Sequence, residues 1–574
     1  MALPPLNLLP QPRSVDRTGA IVTPHEGEPR TARDSTLPPD GYELRIGTYG
    51  EVTITAADAA GEFYGRATLA QLRSFGDVPV GVIRDWPDLP VRGVMVDCSR
   101  DKVPTLDTLR DLVDRLASWK VNHVELYCEH TFAYVDHEEV WRDASPFTAE
   151  EIRGLDAFCR ERHVELVPNQ NCLGHMRRWL VHDRYRPLAL APPEGELPRE
   201  PPTTIDPTNP DSLALIRELL AELLPNFTSR KVHVGLDEPW ELPDSRFDDY
   251  LMWLRTLREL PELNRREMLV WGDILAGRPE RLAQIPDGVT TCEWGYEEWH
   301  PFDERAAAYA GAGKPFWVAP GTSSWCTILG RVTNMRGTCI AAARAARTHG
   351  GTGFLNTDWG DLGHLQYLPI SDPGLAFGAA VSWCLESNRE LDLGAALSAH
   401  VYDDPTGEFA TALLALGDVH RAITPQAPNI SALVAHGYWP QLQLGRGFTK
   451  GFDSRELDRV ESILTDANAR IDRSHPGRAD AQLLKDELHN GSARVGILTR
   501  DARARMLVGG TIGLVDRQAR DALAASLRPV IAEHRRLWLA RNRPGGLDDS
   551  AAWLEHLLSC YETGETLSNW GSVT

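Results

Sequence analysis

Residues 231–242 read KVHVGLDEPWEL, a short apolar alternation that runs into two adjacent carboxylates. Val232, Val234 and Leu236 share one face, which predicts a buried strand over 231–236. Asp237 and Glu238 repel each other, and Pro239 and Trp240 add nothing to a sheet. A polar loop after a strand explains such a pair by itself. It gains weight if other strands end in the same way.

They do. Short apolar runs recur as VRGVMVD (91–97), NHVELYC (122–128), VELVPN (164–169), EMLVW (267–271), VTTCEW (289–294), PFWVAP (315–320) and GTGFLNTD (351–358). Amphipathic segments such as LDTLRDLVDRLASWK and AEEIRGLDAFCRERH lie between them. With KVHVGL the alternation predicts an α/β fold, a (β/α)8 TIM barrel. Nearly every run ends in residues that are costly to leave without a purpose: Asp97, Glu129, Asn169 and Asn171, Asp237 and Glu238, Trp271 and Asp273, Trp294, Trp325 somewhat downstream, and Asp358, Trp359 and Asp361. The C-terminal face of such a barrel is where its active site is built.

The flanking texture differs. Residues 1–88 read as a small α+β N-terminal domain, with a hairpin from YELRIG to EVTITAAD and a helix over AAGEFYGRATLAQLRSF. The prolines of DWPDLP mark a linker, and the barrel is assigned to 89–390. Residues 391–574 read as a helical C-terminal domain. LDRVESILTDANARIDR and DALAASLRPVIAEHRRLWLARNR in it carry apolar residues at helical spacing.

Composition excludes several partners. The 574 residues hold 81 acidic against 60 basic side chains, a formal net charge of −21. That balance argues against nucleic acid and against anionic membrane surfaces, which need clustered cations. No apolar run approaches the length of a membrane span. Nine scattered cysteines without a C-x-x-C pair, and an N-terminus without a basic leader, lead us to expect a cytoplasmic protein with reduced core thiols. No spacing suggests a metal site or another cofactor. GRGFTKG lacks the context of a nucleotide loop and reads as an ordinary turn.

A barrel mouth with carboxylates and indoles (Trp240, Trp271, Trp294, Trp325, Trp359) suits a neutral, polyhydroxylated ligand. Indole faces stack on sugar rings while carboxylates accept from hydroxyls. Here the chain resembles the family 20 glycoside hydrolases, the β-N-acetylhexosaminidases, over most of residues 5–385. The likeness lies in LPQPRSV, in YELRI with VTITAADAAGEFYGRATLAQL, in DWPDLPVRGVMVDCSRDKVP, in HVGLDE, and in VPNQNCLGHM, LVWGDIL and NTDWGD.

The resemblance implies a retaining exo-β-N-acetylhexosaminidase whose partner is a glycan or glycoconjugate carrying terminal N-acetylhexosamine. Glu238 would be the general acid and then the base. Asp237 would orient the substrate's own 2-acetamido group, which replaces an enzyme nucleophile. Trp271, Trp294 and Trp359 would wall the acetamide pocket, and Arg92 and Asp361 would bind hydroxyls. Glu129 and His175 would form a relay behind the acid. The remaining acetamide contact falls to Tyr296 or to the Trp325 segment. Leu236 stands where the family often has a second glycine, and ELYCEHTF stands where it usually has Trp-His followed by Asp-Asp. Two alternatives stay open: a non-catalytic N-acetylhexosamine-binding protein on the same scaffold, and a metal-dependent hydrolase using His175, His233, Asp237 and Glu238.

Overall fold

A computed structural model of the protein describes residues 6–192, 199–424, 426–438 and 452–565. The turn expected at 445–451 lies outside these residues.

The N-terminal part is a five-stranded sheet in the order β1-β5-β3-β4-β2: β1 Ser14–Val22, β2 Arg30–Arg33, β3 Tyr42–Ile46, β4 Val52–Ala56 and β5 Val78–Asp85. β3 and β4 are the expected hairpin, paired from Tyr42↔Ala56 to Ile46↔Val52. The alternation of buried Leu44, Ile46, Val52 and Ile54 gives the sheet one apolar face. Helix Ala59–Ser74 covers that face through Tyr64, Leu69 and Leu72, and Asp58 caps it by accepting from the Gly61 N–H.

The next eight strands close into a parallel barrel: β6 Val91–Asp97, β7 His123–Cys128, β8 Glu165–Gln170, β9 Lys231–His233, β10 Glu267–Trp271, β11 Val289–Trp294, β12 Phe316–Ala319 and β13 Gly353–Asp358. All eight predicted runs form strands. The run that opened the sequence reading is cut short. β9 stops at His233, and the chain turns through Gly235 at φ 71° and Leu236 at φ 73° instead of continuing as a strand to 236. Between β8 and β9 only Asn169↔His233 pairs. The barrel wall is therefore thinnest where the two acids leave it.

Arg92 sits at the base of the barrel. Its guanidinium donates to the carbonyls of Lys120 (2.8 Å), Leu89 (3.0 Å) and Pro90 (3.1 Å), to Asp40 (3.1 Å) and to the Tyr64 hydroxyl (3.2 Å). It fastens the N-terminal sheet to the barrel together with Lys120, whose ammonium meets Asp85 at 2.7 Å. The assignment of Arg92 to sugar hydroxyls is thus corrected. The second residue of a barrel strand lies at the N-terminal end, far from the mouth, and every nitrogen of this side chain is already used.

Beyond helix Leu368–Trp383 the chain is helical, with long segments at Ser454–Arg473, Ala481–Met506, Arg517–Arg541 and Leu547–Thr563. Leu488, Val495, Leu498 and Trp553 of these helices join Ile370, Phe377 and the outer layer of the barrel in one apolar core. All nine cysteines are buried and unbridged. No helix among the described residues is long and apolar enough to cross a membrane.

Candidate active site

The loop after β9 carries the chemistry. Asp237 is 6% exposed, and Glu238, at φ 45°, presents a partly exposed carboxyl to the barrel mouth. Left-handed backbone at non-glycine residues costs energy, and it recurs here at Leu236, Glu238 and His175 (φ 55°). The close packing also explains Gly174, where a Cβ would lie 2.4 Å from the Asp237 carbonyl.

His175 Nε2 lies 3.1 Å from Asp237 Oδ2 and 3.6 Å from Glu238 Oε2, while Nδ1 faces Glu129 Oε1 at 3.8 Å. Burial alone would lower the imidazole, but Asp237 outweighs it and raises His175 to about 9. Reciprocally, burial pushes Asp237 up, while the charge and hydrogen bond of His175 bring it below its ordinary value. Glu238 moves the other way, raised by burial and then by the Asp237 charge. Burial and charge thus push the two adjacent carboxyls in opposite directions, Glu238 toward holding its proton and Asp237 toward losing it, which is how one site supplies an acid beside a charge. Asp237 Oδ1 is buried with no hydrogen-bond partner among the described residues.

The neighbouring strand ends hold this pair in place. Asp97 Oδ1 accepts from the Ser99 and Arg100 N–H groups, and its Oδ2 accepts from the Gly360 N–H. These bonds join the β6 and β13 loops. Arg100 reaches Asp97 (3.3 Å) and Glu129 (3.2 Å), with its guanidinium over Tyr127 (4.6 Å) and Trp359 (5.0 Å). Tyr127 donates to Glu129 at 3.0 Å and accepts from Asn171 at 2.7 Å. Asp273 accepts from the Glu238 N–H at 3.1 Å and from Trp294 Nε1 at 3.4 Å. Burial, then the Asp237 charge, pushes its carboxyl up to about 7. Asp361 is raised to about 6 by burial, against the pull of Arg100.

Two adjoining cavities open above these groups. One of about 320 Å³ is lined by Asp237, Trp294, Tyr296, Trp299, His300 and Trp359, among others. The other, about 510 Å³, includes Glu129, Arg177, Arg178 and Trp240. They share Arg100, His175, Glu238, Asp361, Pro428 and Asn429, so they form one cleft across the mouth.

Most of the residues expected from sequence meet here: Asp237, Glu238, Glu129, His175, Trp294, Trp359 and Asp361. Tyr296 lies flat on Trp294 (5.1 Å, 15°) and accepts from Trp359 Nε1 at 2.7 Å. Trp271 and Trp325 are placed differently from the expectation. Trp271 is fully buried beneath Trp359 (5.7 Å) and against His233 (4.3 Å). Trp325 packs edge-on behind Tyr296 at 5.0 Å. Both point into the aromatic layer inside the barrel and back the walls without forming them. Among the described residues no group of three or more His, Cys, Asp or Glu is disposed to hold a metal ion.

Sequence reasoning missed Arg100, Tyr127, Trp299 and the 428–430 segment as parts of the site, and it placed Asp273 at a strand end without giving it a role. Arg100 carried a usable signal, because it follows the Asp97 strand end directly. Nothing at 428–430 stands out in the sequence.

Comparison with known proteins gives a consistent picture. The family description "Glycosyl hydrolase family 20, catalytic domain" matches residues 89–320, and "Glycosyl hydrolase family 20, domain 2" matches 6–86. A β-hexosaminidase of Akkermansia muciniphila is 29% identical over 235 residues, 36% of this chain and 47% of that protein. A lacto-N-biosidase of Bifidobacterium bifidum is 25% identical over 223 residues, 38% of this chain and 19% of that protein. The chain thus spans about half the length of one curated relative and about a fifth of the other. Among solved structures, the β-N-acetylhexosaminidase of Streptomyces coelicolor has TM-score 0.55 at 20% identity, covering 69% of this chain and 96% of that one. An inactive mutant of the exo-β-N-acetylglucosaminidase of Vibrio harveyi has TM-score 0.56 at 16% identity, covering 72% and 78%. At these identities the structural likeness carries the fold.

Proposed function

Because this chain belongs to glycoside hydrolase family 20, we propose that it is a retaining exo-β-N-acetylhexosaminidase, releasing terminal β-linked GlcNAc or GalNAc from a glycan or glycoconjugate by substrate-assisted catalysis. The observation that carries this reading is the Asp237–Glu238 pair. Burial and the Asp237 charge raise the pKa of Glu238, and Asp237 is held below its ordinary value with Oδ1 unpaired among the described residues, beside a cavity walled by Trp294, Tyr296 and Trp359.

In the proposed reaction Glu238 protonates the glycosidic oxygen while the acetamido carbonyl oxygen attacks the anomeric carbon. The leaving group departs and a cyclic oxazolinium ion forms. Asp237 Oδ1 accepts from the acetamido N–H and balances the positive charge that develops there. The Glu238 carboxylate then takes a proton from water, which attacks the same carbon and reopens the ring. Two inversions give net retention. Asp237 does not bond to carbon, so this differs from the usual pair of a carboxylate nucleophile and an acid. His175 supports the step by keeping Asp237 anionic.

The test is NMR of the first-formed anomer together with rates on a matched 2-hydroxy glycoside. The β-anomer first and near inertness of the 2-hydroxy compound are expected. An α-anomer, or comparable rates on both glycosides, would overturn the mechanism. Binding of N-acetylhexosaminides without turnover would favour the non-catalytic alternative.

A further inference from the structure

The barrel does not build the cleft alone. Pro428, Asn429 and Ile430 reach it from the helical region. This strap is tied down at several points. The Asn429 N–H donates to Glu297 Oε1 at 2.6 Å, the Ser431 N–H donates to the Cys326 carbonyl at 3.2 Å, and Ala427 pairs with Ile430. Glu297 is in turn held by both terminal nitrogens of Arg331, at 3.0 and 2.7 Å, and the two side chains are nearly buried. Ile430 packs against the aromatic layer that contains Trp359 and Trp325. A buried ion pair is an expensive anchor, and it fixes the strap to the β11 and β12 loops of the barrel.

Asn429 is the residue this anchoring presents. Its φ of 60° is left-handed, a conformation that asparagine tolerates better than most side chains. Its carboxamide makes no hydrogen bond to any described residue, although its backbone is fixed. It lines both cavities alongside Glu238 and Asp361. A carboxamide can donate and accept at once, as a sugar hydroxyl does.

We propose that Asn429 is a substrate-binding residue whose carboxamide hydrogen-bonds the 3-, 4- or 6-hydroxyl of the sugar seated beside Glu238 and Asp361. The helical region thereby completes the barrel's site. The inference rests on the N-acetylhexosaminidase reading and adds to it a specificity residue from outside the barrel.

Asn429→Gly removes the carboxamide and leaves the left-handed backbone unstrained. The experiment measures inhibition of aryl N-acetylglucosaminide hydrolysis by N-acetylglucosamine and by its 3-, 4- and 6-deoxy analogues, for wild type and N429G, with melting curves for both. We expect the inhibition constant of N-acetylglucosamine to rise about 3- to 10-fold, the span of one net hydrogen bond. The melting temperature should hold, KM should rise in parallel with the inhibition constant, and one deoxy analogue should inhibit both proteins equally, which identifies the hydroxyl. Equal inhibition constants for N-acetylglucosamine overturn the inference, as does a rise that persists with all three analogues. A wild type inert on aryl N-acetylhexosaminides refutes the functional reading, and the inference falls with it. An active wild type with an unaffected variant refutes the inference alone.

Discussion

Arg92 and Arg100 lie on one barrel strand and its exit loop, and they end in opposite roles. Arg92 is 1% exposed, with each nitrogen committed to a carbonyl, to Asp40 or to Tyr64. Arg100 stacks on two aromatic rings, meets two carboxylates at 3.2–3.3 Å and lines both cavities. The first is a fastener with no donors to spare. The second sits in a cleft where a ligand's hydroxyls can reach it. Arg92 spends its five N–H groups on five acceptors, whereas Arg100 meets only Asp97, Glu129 and His175, so functional capacity here is the bonding that a side chain has left over.

The sharpest way to test this contrast starts at the mouth. Glu238→Gln is predicted to lower kcat/KM on substrates with poor leaving groups by roughly 10²- to 10⁴-fold, the usual worth of a positioned general acid. Aryl glycosides with acidic leaving groups should lose less. Equal losses on both substrate types, with melting unchanged, would remove Glu238 from the acid role.

The arginines can be exchanged against each other. Arg100→Met should cost roughly 10²- to 10³-fold in kcat/KM, since charge-assisted hydrogen bonds are worth about 1.5–3 kcal/mol each. Arg92→Met should leave KM unchanged and lower unfolding free energy by about 3 kcal/mol, as expected when a buried charged network loses its centre. Denaturant melts and steady-state rates on both variants decide it. A normal melt for Arg92→Met, or a KM effect from it, would break the contrast.

His175 carries a pH signature. Its value in the folded protein, about 9, lies above the ordinary 6.5 because Asp237 outweighs burial. The stability it contributes is therefore full below about pH 6.5 and is lost as pH rises through about 9. The shift corresponds to roughly 3 kcal/mol at most. His175→Gln should flatten this fall in denaturant melts between pH 6 and 9.5. Parallel curves for the two proteins would mean that the imidazole is not held charged.

The smallest effect belongs to the walls. Trp359→Ala should weaken binding of N-acetylglucosamine by roughly 1–3 kcal/mol through lost apolar contact. Substrates with acyl groups bulkier than acetyl should be poor for wild type and less discriminated against by the variant. Unchanged acyl discrimination would mean that Trp359 does not shape that pocket.

The sequence by itself determined the barrel and the level at which its chemistry sits. Strand periodicity is local, and VRGVMVD, EMLVW and VTTCEW became β6, β10 and β11 with the predicted bounds. The carboxylates and indoles at strand ends follow from the same period, so Asp237, Glu238, Trp294 and Trp359 were legible as site residues. Tertiary structure decided which way those ends point. Trp271 ends β10 as Trp294 ends β11, yet the first is sealed beneath Trp359 and the second opens to the cleft. It decided between Arg92 and Arg100, because only closure of the barrel separates its base from its mouth. It also ended β9 at His233 and brought Asn429 to the site through an ion pair between Glu297 and Arg331. Periodicity acts between residues a few positions apart, whereas these choices depend on contacts between segments distant in the chain, which no local pattern encodes.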